Sequence, residues 1–255
     1  MHEIVPGEPI AGAEGGDGTE MVQTTMEPRA RGQAVAAACP VGHTVPPRVP
    51  GTRNAAATIE RILASAEAEF GSRGIDSARI DDIAKAAGIS KQLIYHYFDG
   101  KDDIYGALLV HIARRNMTLV CAIDYDALDP IEAVRAFFET LFRAYRGNPF
   151  TSTIPLDQGL HGGAHVRYDA EVAAMRDDFY RRFGDAIDRG KGMGLIRPEI
   201  DVAALHFLAI VLVSGAIALM PMFVRYTRRK AGSGHPAPDA TCEQFTEYFM
   251  RAVMA

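Results

Sequence analysis

Between Arg79 and Lys101 the chain reads RIDDIAKAAGISKQLIYHYFDGK, and the residues there that could do chemistry are Lys91, Gln92, Tyr95, His96 and Tyr97. All five are long hydrogen-bonding side chains, three of them with a flat ring, and at helical spacing they form an outer face. Such a face can hydrogen-bond base edges and hold phosphates, and a helix has the width of a DNA major groove. Leu93, Ile94 and Phe98 point the opposite way, into a core. A short helix must precede this one, because Ile80, Ile83, Ala84 and Ala87 recur on one face, Gly88 can supply a positive φ, and Ser90 is a natural N-cap. Arg79, Ser90 and Lys101 flank the face and complete the set expected on DNA. Lys101 opens a further helix, whose N-terminal amides also suit a phosphate.

Composition narrows the class. The chain has 255 residues, 48% of them hydrophobic, which is enough for a sizeable core in one or two domains. Its three cysteines, Cys39, Cys121 and Cys242, are odd in number and far apart. They make neither a disulfide framework nor a zinc-finger spacing, and a reducing cytoplasm is the expected setting. The net charge of −5 excludes a protein that coats nucleic acid through a broad basic surface. Nine Lys/Arg balance nine Asp/Glu between Arg53 and Arg115, so DNA affinity there must come from placement.

Residues 1–52 are rich in Gly, Pro, Ala and Thr, show no apolar period, and read as a disordered N-terminal arm. They contain no charged-then-apolar leader pattern. Arg29, Arg31, Arg48 and Arg53 are available to a minor-groove arm, although a solvated tail is the simpler reading. Residues 53–100 follow as the helix-turn-helix domain. Ile59, Ile62, Leu63, Ala66 and Phe70 repeat at amphipathic-helix spacing, with Gly71 and Gly74 punctuating the end. Asp99-Gly100 turns the chain into a longer helix, from Lys101 to about Ile123.

The run IERILASAEAEFGSRGIDSARIDDIAKAAGISKQLIYHYFDGKDDIYGALL, from Ile59 to Leu109, resembles the DNA-binding domain of the tetracycline-repressor-like (TetR) regulators over its full length. Phe70, Gly74, Asp82-Ile83-Ala84, Ala87-Gly88-Ile89-Ser90, Leu93-Ile94-Tyr95, Tyr97-Phe98 and Lys101 carry the likeness. It implies that Lys91, Gln92, Tyr95, His96 and Tyr97 form the recognition face, with Tyr95 on a phosphate, and that Lys101 contacts the DNA backbone. One position departs from the pattern. Where the family places a Ser or Thr cap, this chain has Arg79, so capping passes to Asp76 or Ser77 and Arg79 is left to reach a phosphate.

Residues 101–255 read as a helical effector-binding and dimerisation domain, and the fold class is all-α. Asp129-Pro130 opens a helix whose apolar face carries Val134, Phe138, Leu141, Phe142 and Tyr145. A looser segment, residues 149–169, precedes a second long helix marked by Val172, Met175, Phe179, Phe183 and Ile187. The resemblance implies an effector pocket around these helices, with Phe138, Phe142, Tyr145, His161, Met175 and Phe179 as its lining. A plain packed core explains the same aromatics. Asp157, His161, His165 and Asp169 stand four apart, a spacing that would align metal ligands on a continuous helix. Gly159, Gly162 and Gly163 argue against that helix, and neither a metal nor a cofactor is expected.

Val202 to Val224 is predominantly apolar and long enough to span a membrane, and a basic RYTRRK follows. A membrane anchor or an interaction helix is therefore the alternative reading. His206, Pro221 and the small residues 214–218 argue against it. So does the further amphipathic helix carrying Phe245, Tyr248, Phe249 and Ala252. The pair reads instead as a dimer interface formed by His206, Ile210, Val213, Ile217, Phe245 and Phe249, with RRKAGSGHPAPDAT as a loop between the two helices. No nucleophile motif, phosphate loop or HExxH pattern is present, so no enzyme is expected. The expectation is a cytoplasmic homodimer without a membrane partner. It acts as a repressor that binds double-stranded operator DNA and is released by a small-molecule effector.

Overall fold

The apolar repeat from Ile59 to Phe70 folds as α1 (Arg53–Ser77), the first of nine helices in a computed structural model that describes residues 53–148, 150–167, 169–228 and 238–255. The arm at residues 1–52 with Arg29, Arg31 and Arg48, and residues 229–237 of the expected loop, lie outside the described residues. The end of that loop sequence, from Pro238, already belongs to the last helix. After α1 come α2 (Ile80–Ala87), α3 (Lys91–Tyr97), α4 (Lys101–Cys121), α5 (Pro130–Gly147), α6 (Phe150–Leu160), α7 (Ala170–Gly192), α8 (Val202–Arg228) and α9 (Pro238–Val253). Among the described residues no strand forms. An isolated antiparallel bridge between Ile196 and Met254 ties the C-terminus to the turn after α7.

Local chemistry sets several helix ends. Asp129 caps α5 by accepting from the amides of Ile131 and Glu132, with Pro130 in the first turn, where its missing N–H costs nothing. Asp169 caps α7 by accepting from Val172. In α1 the helical path breaks at Gly74 (φ 70, ψ 168). A Cβ there would stand 2.8 Å from Asp157 Oδ1 of α6, so that glycine is needed for both its backbone and its space. Gly71 is not the punctuation its type suggests. It lies within α1, where a Cβ would collide with Phe150 of α6.

The chain buries two apolar clusters. One is built by α1–α4 from Ile62, Phe70, Ile83, Ile94, Phe98 and Leu108, with Ile154 of α6 inserted among them. The other gathers Phe137, Phe138, Leu141, Phe179, Phe183, Val213 and Phe249 from α5, α7, α8 and α9. α4 serves both, contributing Ile104 to Ile112 to the first and Met117 and Val120 to the second.

Two elements differ from expectation. Residues 150–160 are helical, although the stretch 149–169 reads as a looser segment and Gly159 argues against a helix. Tertiary contacts outweigh their poor propensity: Ile154 is buried, and Thr153 Oγ1 donates to the Gly71 carbonyl at 2.7 Å. α8 runs through Pro221 to Arg228, so the proline does not break the helix.

One polar group lies deep in this packing. Glu67 of α1, 4% exposed, accepts from Arg115 of α4 through both oxygens at 3.0 and 2.8 Å, and from Thr151 Oγ1 of α6 at 2.6 Å. Burial pushes its carboxyl up, but hydrogen bonds from Arg115 and Thr151 and the guanidinium charge outweigh that and hold it below the usual range. Replacing Arg115 with Met strands this carboxylate without its cation. Urea unfolding of Arg115→Met is expected to show a loss of about 3 kcal/mol, and a loss below about 1 kcal/mol would contradict the placement.

Candidate nucleic-acid interface

α2 is closed by Gly88 (φ 64, ψ 39), whose amide donates to Lys85 while the Ile89 amide donates back to Ala84 at 3.0 Å. This Schellman arrangement satisfies the last carbonyls and turns the chain sharply. Arg61 of α1 reaches the same end and donates to the Ala87 carbonyl. Ser90 Oγ then accepts from the Leu93 amide at 3.2 Å, so α3 starts where the sequence places it. Ile83, Ala84, Ala87, Ile94 and Phe98 are buried and fix the angle between the two helices.

The outer side of α3 carries Lys91, Gln92, Tyr95 and His96, all exposed. Tyr95 is 49% exposed, so its ring and hydroxyl are open to a ligand. Tyr97 differs from the other four. It is half-buried against the domain core and meets the His96 ring edge-on at 5.1 Å, so it braces the face rather than extending it. Ser90 has its hydroxyl committed to the cap. Lys91 Nζ lies 3.0 Å from the Asp81 carboxylate of α2, and that hydrogen bond raises the pKa of its amine. Lys101 Nζ donates to the Asp76 carbonyl at 2.9 Å, pinning the start of α4 to the last turn of α1.

Arg79 occupies the N-cap position of α2 in an extended conformation, and no side chain caps that helix. The expected transfer of the cap to Asp76 or Ser77 does not occur. Asp76 is engaged by Lys101 and His161, and the Arg79 amide instead donates to Glu69 at 3.3 Å. Asp81 and Asp82 in the first turn complement the positive end of α2.

Of the six residues expected to line an effector pocket, five gather at one cluster and His161 does not. Phe138, Phe142, Tyr145 and Phe179 are buried in the second cluster, with Met175 half-buried at its edge. Burial pushes the Tyr145 hydroxyl up to about 12. His161 stands apart from them at the end of α6. Its Nδ1 is 2.8 Å from the Asp157 carbonyl and its Nε2 3.3 Å from the Asp76 carboxylate beside the helix-turn-helix. His165 is 3.3 Å from Asp102 on α4. Among the described residues no three His, Cys, Asp or Glu side chains are grouped to hold a metal.

Of the six residues expected at a dimer interface, the structure buries three within this chain, His206, Val213 and Phe249. Val213 and Phe249 are buried in their own chain, the latter stacked on Phe138 with ring centroids 4.3 Å apart. His206 is buried among Phe137, Phe179 and Tyr180, its Nδ1 3.0 Å from the Tyr180 hydroxyl, and burial lowers its pKa to about 4. Ile210, Ile217 and Phe245 are half-buried against the same cluster. The apolar surface left open lies one helical step away: Phe207, Leu208, Val211, Leu219 and Met222 on α8, with Tyr248 on α9. Because α8 is apolar all round, its period could not reveal which stripe faces inward.

Comparison with known proteins agrees with this architecture. Residues 62–108 match the family described as bacterial regulatory proteins, tetR family, and residues 130–236 match a tetracyclin repressor-like C-terminal domain. The chain is 29% identical over 171 residues to the HTH-type transcriptional repressor SCO4008 of Streptomyces coelicolor, covering 67% of this chain and 83% of that protein. It is 26% identical over 151 residues to the HTH-type transcriptional repressor NicS of Pseudomonas putida, covering 59% of this chain and 71% of that one. Its fold is similar to that of the ketosteroid transcriptional regulator KstR2 of Mycobacterium tuberculosis, with a TM-score of 0.56 at 19% identity over 83% of this chain and 100% of that one.

The contacts at His161 have a pH consequence. Hydrogen bonding to the Asp157 carbonyl raises its pKa, helped by the carboxylates of Asp76 and Asp157. A raised value in the folded state means that the stabilisation is complete below the unfolded value, about 6.5, and is lost as pH rises through the folded one. In an NMR titration the His161 ring is expected to titrate above 6.5 and to fall back towards it in Asp76→Asn. A native value at or below 6.5 would contradict the pairing.

Proposed function

This chain belongs to the TetR family of bacterial regulatory proteins, and from that premise we propose that it is a ligand-responsive transcriptional repressor binding a palindromic operator as a homodimer. The observation that carries the reading is the exposed polar face of α3, held rigid by a capped turn and a buried core. Lys91, Gln92, Tyr95 and His96 enter the major groove, while Arg79 and Lys101 lie on the flanking backbone.

A second copy supplies the second half-site. The stripe of Phe207, Leu208, Val211, Leu219 and Met222, with Tyr248 beside it, is the surface through which the two copies pair. By length and composition Val202–Met222 could also cross a membrane. The dimer reading is favoured because the other side of the same helix buries Leu205, His206, Ala209 and Val213 in this chain's own core, contacts that a lipid-embedded helix would forgo. The protein works in the cytoplasm and has no catalytic role.

The effector binds among the C-terminal helices, whose aromatic rings suit an apolar molecule. Among the described residues, Asn116 Oδ1 on α4 is buried without a hydrogen-bond partner and is available to its polar groups. It acts by binding one arrangement of the dimer better than the other, so that the spacing of the two α3 helices no longer fits the operator.

Two substitutions separate the parts of this reading. In a gel-shift assay Tyr95→Ala is expected to lower operator affinity about tenfold with the dimer mass unchanged. Phe207→Glu is expected to give monomers and lose operator binding altogether. Native affinity in Tyr95→Ala, or dimers in Phe207→Glu, would contradict the respective assignment.

A further inference from the structure

Asp103, in the first turn of α4, uses its two carboxylate oxygens on two different parts of the molecule. Oδ1 accepts from Arg167 Nη1 at 2.6 Å, and Oδ2 accepts from the Asp99 backbone amide at 3.0 Å. Arg167 lies in the connection between α6 and α7. Asp99 begins the turn that closes α3 and starts α4. A single carboxylate therefore joins the C-terminal helices to the end of the helix that carries Lys91, Gln92, Tyr95 and His96. Both partners are half-buried, the Arg167 side chain 29% and the Asp103 side chain 22% exposed, and the short charge-assisted bond is the strong kind.

A second observation shows that this route is built into the backbone. The Arg167 side chain crosses α4 directly over Gly106, where a Cβ would stand 2.7 Å from its Cδ and 2.8 Å from its Cζ. Only glycine leaves that path open. The same connection is held nearby by His165 on Asp102 of α4 and by His161 on Asp76 before α2, each at 3.3 Å. Arg167 is the member of this set that connects, through one side chain, to the backbone of the α3–α4 turn.

We propose that Arg167 is a positioning residue for operator recognition. Through Asp103 it sets the Asp99 turn and with it the tilt of α3, so a shift of the α6–α7 connection is felt at the DNA-reading face. The inference rests on the operator-binding reading above and adds to it a specific point of control, in a segment distant in sequence from the helix-turn-helix. Arg167 touches no DNA, and its action is on the geometry of residues that do.

The test uses the full chain and an operator selected from random duplex DNA. Arg167→Met is expected to weaken operator binding about fivefold and to speed hydrogen exchange at the Asp99 amide, with the dimer mass unchanged. Combined with Asp103→Asn it should cost no more than Asp103→Asn alone, and Arg167→Lys should recover part of the affinity. Gly106→Ala, which displaces the arginine without altering either charge, should shift affinity and exchange in the same direction as Arg167→Met. Native operator affinity and Asp99 exchange in Arg167→Met would overturn the inference, as would simple additivity of the two single substitutions. Failure of the native protein to bind any operator would overturn the reading beneath it as well.

Discussion

The carboxylate of Glu67 is the constraint around which the described helices are arranged. Buried in α1, it demands a cation and a hydrogen-bond donor, and Arg115 of α4 and Thr151 of α6 meet that demand from two directions. Apolar contacts tolerate sliding, but a bidentate pair with its carboxylate buried does not. α1, α4 and α6 are thereby held in one register. Ile154 of α6 can enter the helix-turn-helix core, Asp157 can lie against Gly74, and the α6–α7 connection reaches the first turn of α4. A hydrophobic trio of similar volume could be as stable, so the pair is better understood as fixing alignment than as adding net stability.

Charge explains why such alignment matters. The helix-turn-helix segment is electrically balanced, and several of its cations are already engaged: Lys91 by Asp81, Arg73 by Glu69 and Asp82, and Lys101 by the Asp76 carbonyl. One copy brings little phosphate attraction to DNA. In the proposed dimer the second half-site is engaged from an already bound partner, so affinity rests on the relative placement of two α3 helices. An assembly of this kind is sensitive to small rotations within each copy, which suits control from the C-terminal helices.

Much of this was legible in the sequence, and what was not has physical causes. Short-range signals worked: Asp129-Pro130, Gly88 and Ser90 each define a helix end by local hydrogen bonding, and the structure uses all three. Features that depend on distant partners were hidden. α6 contains Pro155 and Gly159 and folds because it packs on α1, which no local pattern announces. Arg79 broke the expected capping, and Glu69, ten residues earlier, takes its amide. His161 looked like part of a pocket but pairs with Asp76, far away in the chain. α8 defeated periodicity because all its faces are apolar, so the sequence could not tell the buried stripe from the open one. The Arg167–Asp103 pair had no sequence signal, and Gly106 acquires a meaning only once the arginine is seen to cross it.

The central claim is that α3, presented twice by a dimer, reads DNA sequence. The most direct measurement is selection of the purified protein on random duplex DNA, followed by the mass of the complex on the winning sequence. The account predicts enrichment of an inverted repeat with half-sites in major grooves about one helical turn apart, or a multiple of that, occupied by an even number of protomers. Enrichment of no sequence, or of a single unrepeated half-site bound by one protomer, would contradict it.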